Sequence, residues 1–321
     1  MCRANELSAK RTSLGSQSAS GCLESIGSLR NTSAQGYVLQ FVGRKNGKIL
    51  KRSTAVALPA VVGLAALYLY QPQRFDFFPR PAPNPNPPVD PDSERLFSED
   101  ARVLIVAAHP DDPEFYIGGL LTQLSRSGAK IAIVMCTDGD KGYYPSFLTD
   151  ATENRRIRQI EQIEAAAKYG AEVFFLHEPD GRLRADTAVV DEIRQRLNEF
   201  QPEYVLCFDP LYPPRVQHSD HLQSGSAAEE AVADCPNAKW LMRFSTHAAN
   251  YYADISRVWP EKIELLRIHK SQFGGNRMAR IMPIVQGRAK ADGVAINVPF
   301  AEGFRCTQLR RYSGDSRLLL E

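Results

Sequence analysis

Two short segments of the 321-residue sequence combine residue types that can hold a metal ion and move protons. The first is His109-Pro110-Asp111-Asp112-Pro113-Glu114, which runs on to Gly118-Gly119; the second is Gln217-His218-Ser219-Asp220-His221. His109, Asp112 and His221 offer two imidazoles and one carboxylate, a donor set suited to catalytic zinc, where a water takes the open position. Asp111 adjoins a ligand and cannot readily bind the same ion through the same turn, so it is a candidate general base toward the bound water. His218 stands three residues before His221, and a helix starting there turns both rings to one side. It could polarise a substrate carbonyl or protonate a leaving amine. Asp220 could orient an imidazole, as carboxylates behind metal-ligating histidines do. Taken singly, each residue has a plainer reading: His-Pro-Asp as a helix-capping turn, His-Ser-Asp-His as an exposed loop.

The elements that would position these groups are readable from hydrophobic pattern. Arg102–Ala108 (RVLIVAA) has the composition and length of a strand buried on both faces. A helical pattern follows over Ile117–Ser127, stopped by Gly128, and Lys130–Cys136 is a second strand. Glu153–Tyr169 is an amphipathic helix ended by Gly170, Glu172–Leu176 a third strand, Asp186–Phe200 a helix, and Tyr204–Phe208 a fourth strand. This alternation predicts βαβ units: an α/β fold with a Rossmann-like, mostly parallel sheet flanked by helices, in a single catalytic domain over 100–321. Ligands of such sheets bind beyond the carboxyl ends of the strands. The segments after Ala108, Cys136, Leu176 and Phe208 are therefore the place for chemistry. They hold the first cluster, Thr137–Gly142 with Asp140, His177–Arg182 with Asp180, and the second cluster. Asp140 and Asp180 are candidate substrate contacts. A His-Pro-Asp-Asp turn stands where dinucleotide binding needs Gly-x-Gly-x-x-Gly, and neither a phosphate-loop lysine motif nor a Gly-x-Ser-x-Gly elbow occurs.

With AHPDDPEFYIGG, QHSDH and the lesser segments CTDGDKG, PDGRL and HKSQ, the chain resembles the LmbE/PIG-L family of metal-dependent N-acetylglucosamine deacetylases over about residues 101–305. The resemblance implies a zinc ion, with another divalent metal such as Fe2+ as an alternative, and hydrolysis of an acetamide on a glucosamine-containing substrate. It assigns His109, Asp112 and His221 as ligands, Asp111 as general base, and His218 as oxyanion stabiliser or acid. It adds Arg158, in Arg158-x-x-Glu161, as a substrate contact. Two departures stand out. Pro113 occupies a place where many members have Glu, with the acid one position later at Glu114. Val216 stands where some thiol-pathway members have Tyr, which counts against a mycothiol-type substrate. Other readings are an amidase of a larger conjugate or an extracellular polysaccharide, and a sugar-binding relative without turnover.

The remaining sequence reads as a delivery segment. Net charge is +2, but residues 1–53 hold nine Lys/Arg against Glu6 and Glu24, leaving 30 basic and 35 acidic residues beyond. The mildly acidic larger part argues against nucleic-acid binding. Residues 1–53 are basic and Ser-rich, and 1–36 are expected to be disordered. Residues 54–70 form an uncharged apolar run behind the basic cluster Lys45–Arg52. Its readings are a signal-anchor, a signal peptide cleaved near Ala65, or a buried core helix. Basic residues on its N-terminal side place the rest of the chain outside the cytoplasm, membrane-anchored or secreted. Residues 71–99 are a proline-rich linker, with eight of the chain's 21 prolines in 72–91, read as a semi-rigid spacer or a ligand for a proline-recognising domain. The expected partner is a small amino-sugar or a glycan; an oligomeric state is not assigned. Cys136 and Cys207 fall in predicted core strands, Cys235 and Cys306 could pair, and no Cys-x-x-Cys suggests a thiolate site. His177, His247 and His269 are read as structural or surface groups. Arg277, Arg280 and Glu302 could line the substrate mouth or a solvated face.

Overall fold

Arg102–Ala107 (β1) is apolar at every position after Arg102, and both of its faces are covered. Val103, Ile105 and Ala107 enter one buried cluster and Leu104 and Val106 another. A strand buried in this way must lie inside a helix-covered sheet. In the computed structural model, which describes residues 26–32, 36–45, 48–56, 75–77, 87–142, 150–311 and 318–319, that is its place. The chain divides into two units, 1–71 and 72–321.

After β1 come α1 (Asp112–Ser127), β2 (Lys130–Thr137), α2 (Ala151–Tyr169), β3 (Ala171–Glu178), α3 (Thr187–Phe200) and β4 (Tyr204–Phe208). Then follow β5 (Val216–His218), α4 (Ser219–Val232), β6 (Trp240–Phe244), β7 (Tyr251–Asp254), α5 (Trp259–Ile268), α6 (Arg277–Ala295) and β8 (Ala301–Gln308). The sheet has seven strands in the order β7-β8-β6-β4-β1-β2-β3. Pairings from β6 to β3 are parallel, while β8 runs antiparallel to both β6 and β7. The predicted α/β class and every predicted strand are present.

The strand order reverses between β1 and β4. The loops leaving these two strands diverge there and open the crevice in which doubly wound sheets bind ligands.

One predicted boundary moves. Helix α1 begins at Asp112, five residues before the expected Ile117. Pro113 sits in its first turn, where no intrahelical N–H is needed, so a residue that reads as a loop marker is compatible with the helix start. Ile117 instead marks a kink inside the helix (φ −130°, ψ 21°). The linker expected over 71–99 is partly built into the fold. Phe75–Phe77 pairs with β5, Phe75 opposite His218; Val89 N–H donates to Asn250 O at 3.0 Å; Ser93–Leu96 is a helical turn with Leu96 buried.

In the N-terminal unit, Ile26–Thr32, Gly36–Lys45 and Lys48–Val56 form a three-stranded antiparallel meander where composition predicts disorder up to residue 36. Lys45 pairs with Lys48 across Asn46-Gly47, a dipeptide favoured in two-residue hairpin loops that the charge-based reading passed over. The last strand takes in residues 54–56 of the apolar run; residues 57–70 and the proline-dense 78–86 lie outside the described residues. Among the described residues, no helix is long and apolar enough to cross a membrane. Cys136, Cys207, Cys235 and Cys306 are buried, and the conceivable Cys235–Cys306 pairing is not formed.

Candidate metal centre

The turn from β1 into α1 separates two adjacent carboxylates. Asp111 caps α1 with φ 110°, a left-handed conformation that Asp tolerates better than most residues. From there Asp111 turns toward α2, and Asp112 turns inward to the histidines. On the second cluster, His218 caps α4 and accepts the Asp220 N–H at Nδ1 (3.1 Å), which places Asp220 and His221 in the first turn. Gly225 lets α4 close on β4: a Cβ there would stand 2.4 Å from Phe208 O. The result is that the His221 ring lies flat on Phe208, 3.9 Å between centroids and 7° from parallel.

The ligand-capable atoms of His109, Asp112 and His221 lie within 4.8 Å of one another, all three residues being buried. The contacts behind them fix which atoms face the centre. His109 Nε2 lies 3.3 Å from Asp220 Oδ2 and 3.4 Å from Asp180 Oδ1, so its proton belongs there and the Nδ1 lone pair faces His221 Nε2 at 3.3 Å. His221 Nδ1 stands 3.1 Å from Gln217 Oε1, an obligate acceptor, which leaves the Nε2 lone pair inward, 3.2 Å from Asp112 Oδ1. Asp112 Oδ2 accepts the His109 N–H at 2.7 Å and Oδ1 remains inward. Two imidazole lone pairs and a carboxylate oxygen thus converge, each oriented by a partner of its own, as outer contacts orient metal ligands.

Electrostatics favour a cation. Burial opposes a charged His109, yet the carboxylates of Asp112, Asp180 and Asp220 overcome it and hold the ring's pKa well above the ordinary value. Burial would raise Asp112, but His221 and His109 draw it far below the usual carboxylate range. A surplus of buried acid around two histidines suits a divalent ion, which supplies the positive charge when the rings are neutral.

Asp111 lies beside this group. Its N–H donates to Gln162 Oε1 at 2.9 Å and its Oδ2 is 3.3 Å from Arg158 Nη2; burial raises its pKa against the opposing charge of Arg158. His218 is kept neutral by desolvation and by the charges at His109 and His221.

Two of the candidate substrate contacts are buried beside the cluster. Arg158 is 3% exposed: Nη1 donates to Gly139 O at 2.7 Å and Nη2 to Pro110 O, so the guanidinium ties the loops after β1 and β2 to Asp111, while its Nε has no hydrogen-bond partner among the described residues. Asp180 is 1% exposed, accepts the Lys141 N–H at 2.8 Å and faces His109, which makes it a support for that ring. Asp140 is half-buried and outside the cluster; its main-chain carbonyl accepts from Asn154 Nδ2 at 2.6 Å. Glu302 is buried against Lys262 at 2.6 Å, and Arg277 donates to Ser271 O. Glu114 supports α1 from below, accepting from Gln162 Nε2 (3.0 Å) and Tyr169 Oη and pairing with His269 Nε2 (3.0 Å). Sequence reasoning missed Gln217, Gln162 and Asn154. The last two, with Arg158, recur every four residues along one face of α2, a polar stripe on a buried face that could have flagged them.

A Rossmann-like sheet with a buried His2Asp cluster at its switch point defines the class: an α/β protein whose buried cluster is compatible with a metal site. Residues 104–232 match the family model for PIG-L, GlcNAc-PI de-N-acetylase, and over this stretch the chain is similar to the PIG-L/LmbE family. The chain is 27% identical over 227 residues to a diacetylchitobiose deacetylase of Thermococcus kodakarensis, covering 65% of this chain and 84% of that protein. It is 28% identical over 192 residues to a probable N-acetyl-alpha-D-glucosaminyl L-malate deacetylase of Bacillus anthracis, covering 53% and 81%. Among solved structures, the N,N'-diacetylchitobiose deacetylase of Pyrococcus horikoshii in complex with the inhibitor MPG superimposes with a TM-score of 0.62 at 28% identity, over 67% of this chain and 86% of that one.

Proposed function

We propose that this protein is a zinc-dependent hydrolase that removes the acetyl group from an N-acetylglucosamine-containing substrate. The observation that carries the reading is the orientation of His109, Asp112 and His221, each turned inward by a separate partner, with Asp111 beside them. The names of the relatives supply the substrate class.

Zinc held by His109, Asp112 and His221 would supply a Lewis acid and a water of lowered pKa. Asp111, steadied by Gln162 and Arg158, accepts the proton of the attacking water and returns it to the departing nitrogen, so that acetate and a free amine result. His218 carries its proton on Nε2, because Nδ1 accepts from Asp220 N–H, and donates to the oxyanion as it forms. The His2Asp set also suits Fe2+. Removal of metal by a chelator followed by reconstitution with Zn2+ or, without oxygen, Fe2+ tests the reading. Acetate release should vanish and return with Zn2+; return with Fe2+ alone would replace the metal, and chelator-resistant release would contradict the mechanism. The charge asymmetry around residues 54–70 supports a catalytic domain outside the cytoplasm, anchored or released, and protease accessibility in intact cells tests that siting.

A further inference from the structure

Strand β3 ends in a bulge. Met135 pairs with Phe175, but Thr137 pairs with Glu178, so Leu176 and His177 of β3 together oppose Cys136 of β2. An extra residue of this kind bends the strand and re-aims the side chains beyond it. His177 takes the left-handed conformation, φ 60°, that such bulges ordinarily give to glycine. A histidine held there pays a steric cost that glycine avoids. Its side chain is 60% exposed, so burial in the core does not account for the choice of residue.

Asp138, the residue after β2, holds it. His177 Nδ1 lies 2.9 and 3.0 Å from the two Asp138 oxygens, and because a carboxylate only accepts, Nδ1 carries the proton. Asp138 is itself buried and meets Gln159 Nε2 at 2.7 Å and Arg155 Nε at 3.2 Å, both from α2. The bulge is therefore pinned to a carboxylate that the helix already fixes. The residues beyond the bulge reach the metal centre. Asp180, three positions on, places Oδ1 3.4 Å from His109 Nε2. Gly181 N–H donates to Asp220 Oδ2 at 2.6 Å and Leu183 N–H to Asp220 Oδ1 at 3.2 Å, and Asp220 Oδ2 lies 3.3 Å from the same His109 nitrogen. Both carboxylates behind His109 are thus aimed by the chain that leaves the bulge. Lys141 N–H also donates to Asp180 Oδ2, at 2.8 Å, so a loosened bulge would shift Asp180 without releasing it.

We propose that His177 is a positioning residue for the metal centre: its pair with Asp138 pins the β3 bulge, and the pinned bulge aims Asp180 and Gly181 at the groups that orient His109. The assignment rests on the metal-dependent reading of the site and acts through Asp180 and Asp220. Three full-length variants separate backbone from side chain. His177→Gly suits the left-handed conformation but loses the pair. His177→Asn tolerates that conformation and offers Asp138 an amide N–H. His177→Ala keeps the backbone cost and loses the pair. Zn2+ affinity is measured by competition with a chelator, Tm is measured on the same samples, and amide exchange across residues 178–183 is measured on the metal-free protein.

His177→Gly should weaken Zn2+ binding by about tenfold, the low end for a contact behind a metal ligand. Exchange across 178–183 should quicken by about 3- to 10-fold in the same variant. His177→Asn should recover most of both, and His177→Ala should bind no better than His177→Gly. Wild-type affinity in His177→Gly, or the same loss in His177→Asn, would overturn the assignment while leaving the metal centre intact. A loss that merely follows Tm across the three variants would overturn it too. If the wild type binds no Zn2+, the metal-dependent reading fails and exchange decides: protection lost in His177→Gly and regained in His177→Asn supports the pinned bulge, and unchanged protection overturns it.

Discussion

Asp111 and Asp112 are neighbours in the chain but have separate surroundings, and that separation supports the different roles proposed for them. Asp112 is enclosed by His109 and His221, whereas Asp111 faces Arg158 and Gln162. Asp111→Asn preserves shape and removes the proton acceptor. It should lower turnover by about 10²–10⁴-fold with metal content near that of wild type. Metal loss in this variant would mean that base and ligand are exchanged. Gln217, not anticipated from sequence, orients His221 through Nδ1. Gln217→Leu should weaken metal affinity by about 10–100-fold, measured by competition with a chelator. Unchanged affinity would show that stacking on Phe208 alone orients the ring.

At the scale of elements, the loop leaving β4 is fixed by Asp209, which accepts from Arg305 Nε and Nη2 (2.7 and 2.8 Å), Thr246 Oγ1 (2.6 Å) and the Leu211 and Tyr212 N–H groups. Burial opposes its ionisation, but Arg305 and the other donors hold it below the usual carboxylate range. A depressed native pKa stabilises the fold above the ordinary pKa of about 3.9, and this contribution is lost as pH falls through the lower native value. Asp209→Asn should cost about 3 kcal/mol at pH 7, the low end for breaking a buried pair, because Arg305 keeps only the longer 3.6 Å contact to Glu229. The deficit should shrink in denaturant titrations at acid pH, and a constant deficit would assign it to packing.

The parallel strands and the His/Asp cluster were legible because β1, β2 and β4 are apolar on both faces and because His and Asp gather in the connections that follow them. The C-terminal elements were not legible. Segment RFSTHAANYY mixes strand β6 with a turn, and β8 (AEGFRCTQ) buries Glu302 and Arg305, whose ion-pair partners are distant in sequence. The surroundings of Arg158 and Asp180 were not legible for a related reason: sequence shows a charge near the site, but not which backbone groups its donors or acceptors meet.

For the whole molecule, a metal held by His109, Asp112 and His221 would join residues from two connections more than a hundred positions apart, so binding it should stabilise the fold. At 100- to 1,000-fold above its dissociation constant, the metal should add roughly 3–4 kcal/mol, seen as a rise in Tm that a chelator reverses. An unshifted Tm would mean that the ligand cage is held without it. The central claim, a metal-dependent deacetylase, is tested most directly by metal analysis of the purified full-length chain together with acetate release from N-acetylglucosamine glycosides. The predicted result is about one zinc per chain, the stoichiometry of a single catalytic site, with acetate released only while the metal is present. A chain that binds no metal and releases no acetate from any of these glycosides would contradict it.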